Sequence, residues 1–165
     1  MNFSVTKNGL HLSPDLYTWD EKTKTFSTNE SHLVLDFNNM KDITFKTGSY
    51  CVFATNSDCV FETGSDCVFE TSSDCVFETG SYCILDTGSW CTFDTSSDCV
   101  FKTGSDCTFK TGPDCVIIRR DVFEIIQLEP NVEIKLNKLG IQGFEVINHT
   151  YDIDGKTITL SEESF

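Results

Sequence analysis

Residues 47–118 read TGSYCVFA TNSDCVFE TGSDCVFE TSSDCVFE TGSYCILD TGSWCTFD TSSDCVFK TGSDCTFK TGPDCVII, nine octapeptides in tandem with no insertion between them. Within a unit, apolar and polar positions alternate with period two. Cys59, Phe61 and Thr63 point one way; Asp58, Val60 and Glu62 point the other. Val, Phe and Thr favour strands, and Cys behaves as a small buried hydrophobe. The pattern therefore predicts a short strand with Cys, Phe and Thr turned inward and the carboxylates in water. The next two residues break the strand. Gly48, Asn56, Gly64, Ser72, Gly80, Gly88, Ser96, Gly104 and Gly112 fill the second slot. Gly and Asn tolerate positive φ, so that slot is expected to form the tight bend.

A strand this short cannot bury its apolar face alone, whereas stacked copies can; fixed self-similarity is the mark of a solenoid. The prediction is an all-β, single-chain β-solenoid with inward Phe, Cys and Thr ladders. Two units per coil give a turn of about 16 residues and three give about 24. The shorter turn is favoured, because it sets Tyr50 in line with Tyr82, Asp86 beside Lys102 and Asp94 beside Lys110. A turn of 24 would instead align Glu62, Asp86 and Lys110. A trimer with one octad per chain in each third of a turn, as in phage needle β-helices, ranks below both, since their Val-x-Gly pattern is missing.

Outside the repeat, Leu16–Trp19 and Thr25–Thr28 flank a polar turn and read as a hairpin. Residues 1–30 are expected to cap the solenoid, whose repeat region is read as 31–126 with a regular core at 47–118. A degenerate octad over Ser31–Lys46 puts Leu35 and Phe37, then Ile43 and Phe45, in the Cys and Phe slots. Beyond Pro113, Arg119-Arg120-Asp121 is expected to be the next bend, with Phe123 and Ile125 still in the Cys and Phe slots. Residues 127–165 read as a β-rich cap: an alternating strand at Val132–Leu136, another over Ile141–Ile147, a hairpin about Asp154-Gly155-Lys156, and a helical turn at Ser161–Ser164.

The chain has 26 acidic against 12 basic residues, a net charge of −14. That balance argues against nucleic acid or an anionic membrane as a direct partner. No apolar run at the N-terminus suits a signal peptide. The cysteines, one per unit from Cys51 to Cys115, are odd in number and share one core slot. They read as reduced, buried thiols rather than disulfides or zinc ligands. His11, His32 and His149 lie outside the regular repeat, and no phosphate loop or nucleophile–base pair is legible. The expectation is a non-enzyme with no catalytic, cofactor or metal residues.

The T-G-x-x-C-[TV]-F octad, led by Tyr17–Thr28 and Leu33–Phe37, resembles octapeptide-repeat proteins of tailed-phage genomes and environmental sequence. The resemblance covers most of the chain. It implies a phage-type source, hence a virion or host-cytoplasm location, and brings no activity or functional residues with it.

What distinguishes the predicted surface is repetition. Asp58, Asp66 and Asp74 recur beside the bend, and Glu62, Glu70 and Glu78 recur on the strand's outer face; Tyr50, Tyr82 and Trp90 displace Asp and would form an exposed aromatic patch. These nine residues are the candidate interaction surface, with a protein, self or host, as partner. Two other readings stand beside this one: an acidic DNA mimic that blocks a host DNA-binding protein, and an ion- or ice-binding solenoid. The β-roll glycine pattern and an outward Thr face that the last would need are absent.

Overall fold

The computed structural model describes the backbone of residues 3–153 and 156–160 and the side chains of residues 3–147. The predicted hairpin turn at Asp154-Gly155 and the turn at Ser161–Ser164 lie outside the described residues. The strands, in chain order, are β1 (Ser4–Lys7), β2 (Leu10–His11), β3 (Thr18–Asp20), β4 (Thr25–Ser27), β5 (Leu33–Phe37) and β6 (Thr44–Lys46). The regular repeat then supplies β7 (Val52–Thr55), β8 (Val60–Glu62), β9 (Val68–Glu70), β10 (Val76–Thr79), β11 (Ile84–Asp86), β12 (Thr92–Thr95), β13 (Val100–Thr103), β14 (Thr108–Thr111) and β15 (Val116–Arg119). Four more close the chain: β16 (Glu124–Gln127), β17 (Val132–Leu136), β18 (Phe144–Ile153) and β19 (Lys156–Leu160).

Alternate repeats go to opposite sheets. Sheet A runs β2-β1-β5-β7-β9-β11-β13-β15-β16, and sheet B runs β3-β4-β6-β8-β10-β12-β14-β17-β18-β19. Within the repeat every neighbour is parallel and in register: Phe61 lies against Phe77, and Phe53 against Phe69. Equivalent residues are 16 apart, two octads per coil. The molecule is a two-sided β-solenoid. The charge pairs that favoured this period are present, Asp86–Lys102 and Asp94–Lys110 each at 3.5 Å.

Its bore is filled by aromatic rings. Along sheet B, Phe45, Phe61, Phe77, Phe93 and Phe109 stack nearly parallel, with centroids 4.6–5.0 Å apart. Rings of the two sheets meet edge to face, as do Phe61 and Phe69 at 5.2 Å and 76°. The Cys columns flank them, fully buried. Each buried ring contributes about 1.5–3 kcal/mol by area.

The corners differ from the sequence expectation. The positive-φ residue is not in the Gly slot but two places later: Tyr50, Asp58, Asp66, Asp74, Tyr82, Trp90, Asp98, Asp106 and Asp114 all have φ between 57° and 63°. That turn aims the residue's N–H at the next coil, as Tyr50 N donates to Ser65 O (3.0 Å) and Asp66 N to Ser81 O (2.9 Å). The glycines have a separate cause. A Cβ on Gly64 would run into Ser49 Oγ and stand 3.0 Å from Ser49 N in the coil before. The same serine hydroxyl accepts the N–H of Ser65 at 3.0 Å, and Ser65 Oγ accepts that of Ser81 at 3.0 Å. Glycine eases this serine ladder without being required for it, since Ser97 N donates to Ser81 Oγ at 3.3 Å with Ser96 in the same slot.

The ends also depart from the octad. At the first coil Val34 pairs with Val52 and Leu35 with Phe53. Leu33 therefore takes the Cys slot, Leu35 the Phe slot and Phe37 the Thr slot, two residues off the expected assignment. The extra residues sit in the turn where Met40 N donates to Phe37 O. Ile43 and Phe45 are in the expected slots. Parallel stacking begins at β4, which pairs with β6 and so lies within the segment read as cap. The β1–β2 hairpin turns at Asn8-Gly9, both at positive φ; it is absent from the sequence reading above, although Asn-Gly is a hairpin signal.

At the other end the chain does not bend on into a further coil but reverses, and β16 runs antiparallel to β15. Phe123 and Ile125 are consequently exposed, and Ile126 takes the core position. The reversal is anchored by Arg119, wholly buried in the Thr slot above Thr103. Its guanidinium donates to both carboxylate oxygens of Asp121 (3.1 and 2.7 Å) and to the carbonyls of Asn137, Ile141 and Gly143. Burial of Asp121 works against its ionisation, but Arg119 and the Gly140 N–H outweigh it and hold the carboxyl below the usual carboxylate range.

Phe77→Ala should cost about 3–5 kcal/mol in urea unfolding. Glu78→Lys should be neutral or gain a few tenths, since Glu78 sits directly between Glu62 and Asp94; equal losses from both changes would refute the inside–outside assignment. Asp121→Asn should destabilise by roughly 3 kcal/mol, because it strands a buried guanidinium. The native-state advantage of ionised Asp121 is complete above about pH 4 and vanishes as pH falls through its depressed folded value, so the variant should flatten the acid limb of a thermal-melting series.

Candidate interaction face

Two sheets and two edges give the tube four outward surfaces, and the nine residues singled out from sequence divide among them. Corners leading into sheet A carry His32, Tyr50, Asp66, Tyr82, Asp98 and Asp114. Those leading into sheet B carry Asp42, Asp58, Asp74, Trp90 and Asp106. Glu62 and Glu78 lie on the outer face of sheet B and Glu70 on that of sheet A. The predicted single aromatic patch is therefore not formed. Tyr50 and Tyr82 share one edge, two coils apart with Asp66 between them, and Trp90 is on the opposite edge. Two octads per coil separate odd units from even ones.

Carboxylate rows are likewise short. On sheet B the column Glu62, Glu78, Asp94 ends in Lys46 and Lys110, which pair with its terminal members at 2.9 and 3.5 Å. On sheet A, Asp86 is held by both Lys102 and Arg120, and Ala54 interrupts the row before Glu70. The edge run Asp42, Asp58, Asp74 ends at Trp90. Exposed pairs of this kind contribute at most about 1 kcal/mol each, but they leave no long stripe of free negative charge.

One surface is different. Down the outer face of sheet A run Val34, Val52, Val68, Ile84, Val100 and Val116, in register. The first four are exposed, Ile84 by 52%. Tyr50 and Tyr82 stand at the edge of this face, two residues before Val52 and Ile84, and His32 stacks on Tyr50 at 4.6 Å and 8°. The matching column of sheet B is more polar, Thr44, Val60, Val76, Thr92 and Thr108. The outward valines were legible in the octad, but only sorting the units between two sheets shows that the apolar ones gather on one side.

The aromatic substitutions carry a conformational cost. Asp and Asn tolerate the left-handed region, and bulky side chains do not. Tyr82 and Trp90 hold φ of 59° and 63° while 61% and 59% exposed. Strain of about 1 kcal/mol is accepted there with little burial in return, a pattern that concentrates at functional positions.

The thiols form two columns, Cys51, Cys67, Cys83, Cys99 and Cys115 in sheet A and Cys59, Cys75, Cys91 and Cys107 in sheet B, all free and buried. Contact between successive thiols of a column raises some, Cys91 to about 12, and lowers others, Cys51 to about 7, while burial opposes ionisation of each. A reactive thiolate needs exposure and a nearby cation, and the interior offers neither. Of the histidines, His11 lies on β2 and His32 against Tyr50; the side chain of His149 is outside the described residues.

No protein-family model matches this sequence, and comparison with curated proteins and with solved structures finds no match.

In the native protein a thiol reagent should modify the nine cysteines only at the rate of global or local unfolding, with full reaction in denaturant. Rapid native labelling of most of them would place the Cys columns outside.

Proposed function

We propose that this chain is a non-enzymatic, phage-encoded solenoid that acts as a rigid rod and holds a protein partner against the outer face of sheet A. The observation that carries this reading is the pair of exposed aromatics, Tyr50 and Tyr82, kept at positive φ on the border of an exposed β-branched stripe. Apolar surface rimmed by polar residues is what protein contacts use, with Tyr and Trp as common anchors. A stacked parallel sheet is also rigid, so little ordering entropy opposes association. The charge of −14 disfavours nucleic acid, and the phage source rests on the octad resemblance.

Installing a photo-crosslinker in place of Val68 on face A, or of Val76 on face B, compares the two sides within one rod. Face A should capture a discrete protein from the presumed host or virion, and Tyr82→Asn with Ile84→Lys should abolish that capture. Tyr82→Asn alone should leave stability unchanged or raise it by up to about 1 kcal/mol, as relief of left-handed strain requires. Equal capture by both faces, insensitive to Tyr82 and Ile84, would sink the assignment.

A further inference from the structure

The corner residues that lead into sheet A read, coil by coil, His32, Tyr50, Asp66, Tyr82, Asp98 and Asp114. Each stands two residues before a member of the Val and Ile stripe. Two residues beyond the stripe comes a third outward column, Asp36, Ala54, Glu70, Asp86, Lys102 and Ile118. The corner column has a property that no single octad shows. Laid against its own reverse, it sets Asp114 on His32, Asp98 on Tyr50 and Asp66 on Tyr82. Every aspartate then falls opposite a side chain that can donate a hydrogen bond. A shift of one coil either way loses this, because Asp66 falls on itself or on Asp98. The opposite edge has no such order. Its column of Asp42, Asp58, Asp74, Trp90 and Asp106, reversed at full overlap, sets Asp74 against Asp74.

We infer that the protein held on face A is a second copy of this chain, laid face to face with its coils in reverse order. The inference rests on the face A reading and names its occupant. The symmetry is a two-fold axis between the two faces, parallel to the strands, at a height midway between Val68 and Ile84. That rotation keeps each residue's position along the strand and reverses the order of the coils. Corner column therefore meets corner column, and stripe meets stripe: Val68 against Ile84, Val52 against Val100, Val34 against Val116. The interface is isologous, so each of these contacts occurs twice. Two sheets packed face to face in this way make an aligned β-sandwich. Tyr50 and Tyr82, strained and exposed in the single chain, become covered.

Three features select a second copy over another protein. The first is the complementarity of the corner column with its own reverse. The second is spacing. The stripe repeats every coil, about 4.8 Å. An α-helix, with turns of about 5.4 Å, falls out of step with it within a few coils, whereas a reversed copy matches it at every one. The third is the surroundings of the stripe. In the outer column Asp36 meets Ile118, Ala54 meets Lys102, and Glu70 meets Asp86, whose charge Lys102 and Arg120 already hold. Beyond the repeat, β16 of one copy comes opposite β1 of the other. Gln127 and Ile125 then face Thr6 and Ser4, and no charge is buried there. Strand spacing and length give a covered surface of roughly 600 Å² per copy. The total, roughly 1,200 Å², lies at the lower end for specific complexes, so the dimer should depend on concentration.

Sedimentation equilibrium on the purified full chain tests this. A net charge of −14 opposes self-association, so the buffer is kept near physiological ionic strength, where the Debye length is about 8 Å. The expected particle has twice the 18.5 kDa chain mass. Tyr82→Asp sets aspartate against Asp66 at both joints and should weaken the dimer at least roughly tenfold. Its circular dichroism spectrum should not change, because Asp58, Asp66 and Asp74 already hold this corner conformation. Adding Asp66→Tyr exchanges the pair and should restore the dimer, and Trp90→Asp on the other edge should leave it unchanged. A photo-crosslinker in place of Val68 should join to residues around Ile84 of the second copy. Dimerisation indifferent to Tyr82→Asp, or crosslinking between copies from Val76 of face B instead, would overturn the inference. A chain that stays monomeric at the highest attainable concentration, while position 68 captures a different protein, overturns it and leaves the face A reading in place. Capture of nothing at position 68, in the purified protein or in a host lysate, overturns both.

Discussion

In-register stacking is the constraint from which the rest follows. A parallel ladder repeats every 4.7–4.9 Å or so, and identical residues placed at that spacing must either attract or be separated. Phenyl rings satisfy it well: the sheet B rings stack 4.6–5.0 Å apart, close to the ladder repeat. Rings of the opposite sheet then enter edge-on, so both geometries that aromatic pairs prefer are used in one bore. Cys is the small partner that fills beside each ring without adding a polar group that demands solvation. No residue contributes much alone, and the order lies in the repetition.

The corners solve a different problem. A chain that turns between two parallel sheets must keep every backbone group paired with the coil before or after it. A left-handed residue swings one N–H onto the following coil, and a glycine lets the preceding coil's serine hydroxyl accept another. The first task accepts any residue that can bear positive φ, which is why Asp dominates there. The second is eased by the lack of a Cβ but does not require it, since Ser97 N donates to Ser81 Oγ at 3.3 Å with Ser96 in that slot. Ser72 and Ser96 stand in the glycine slot without positive φ. Tyr82 and Trp90 in the left-handed slot bear strain that Asp would bear more easily.

Outward like charges would be the penalty of such regularity. The sequence relieves it by changing residue along each column: Lys46 and Lys110 bracket the carboxylates of sheet B, and Lys102 and Arg120 converge on Asp86 in sheet A. What is left is a rod with one more polar outer face and one striped with Val and Ile. The function proposed for it rests on that arrangement of surfaces.

The octad by itself determined the class of fold and the inward Cys, Phe and Thr, because period-two alternation and a fixed repeat admit few packings; through the Asp–Lys pairs it favoured a coil of 16 residues over one of 24, and the strand register decided between them. Cap strands such as Thr25–Ser27 and Val132–Leu136 were also legible, each bounded by turn residues. Tertiary structure alone decided which units share a surface, and hence that Tyr50 and Tyr82 border the valine stripe while Trp90 faces away: residues eight apart are on opposite sides of the tube and residues sixteen apart are neighbours. It alone separated the glycine preference from the left-handed turn, since the crowding that disfavours a Cβ comes from the adjacent coil. It alone reversed the chain after Arg119, where a buried guanidinium and its carboxylate outweighed a repeat pattern that would have carried Phe123 and Ile125 into the core.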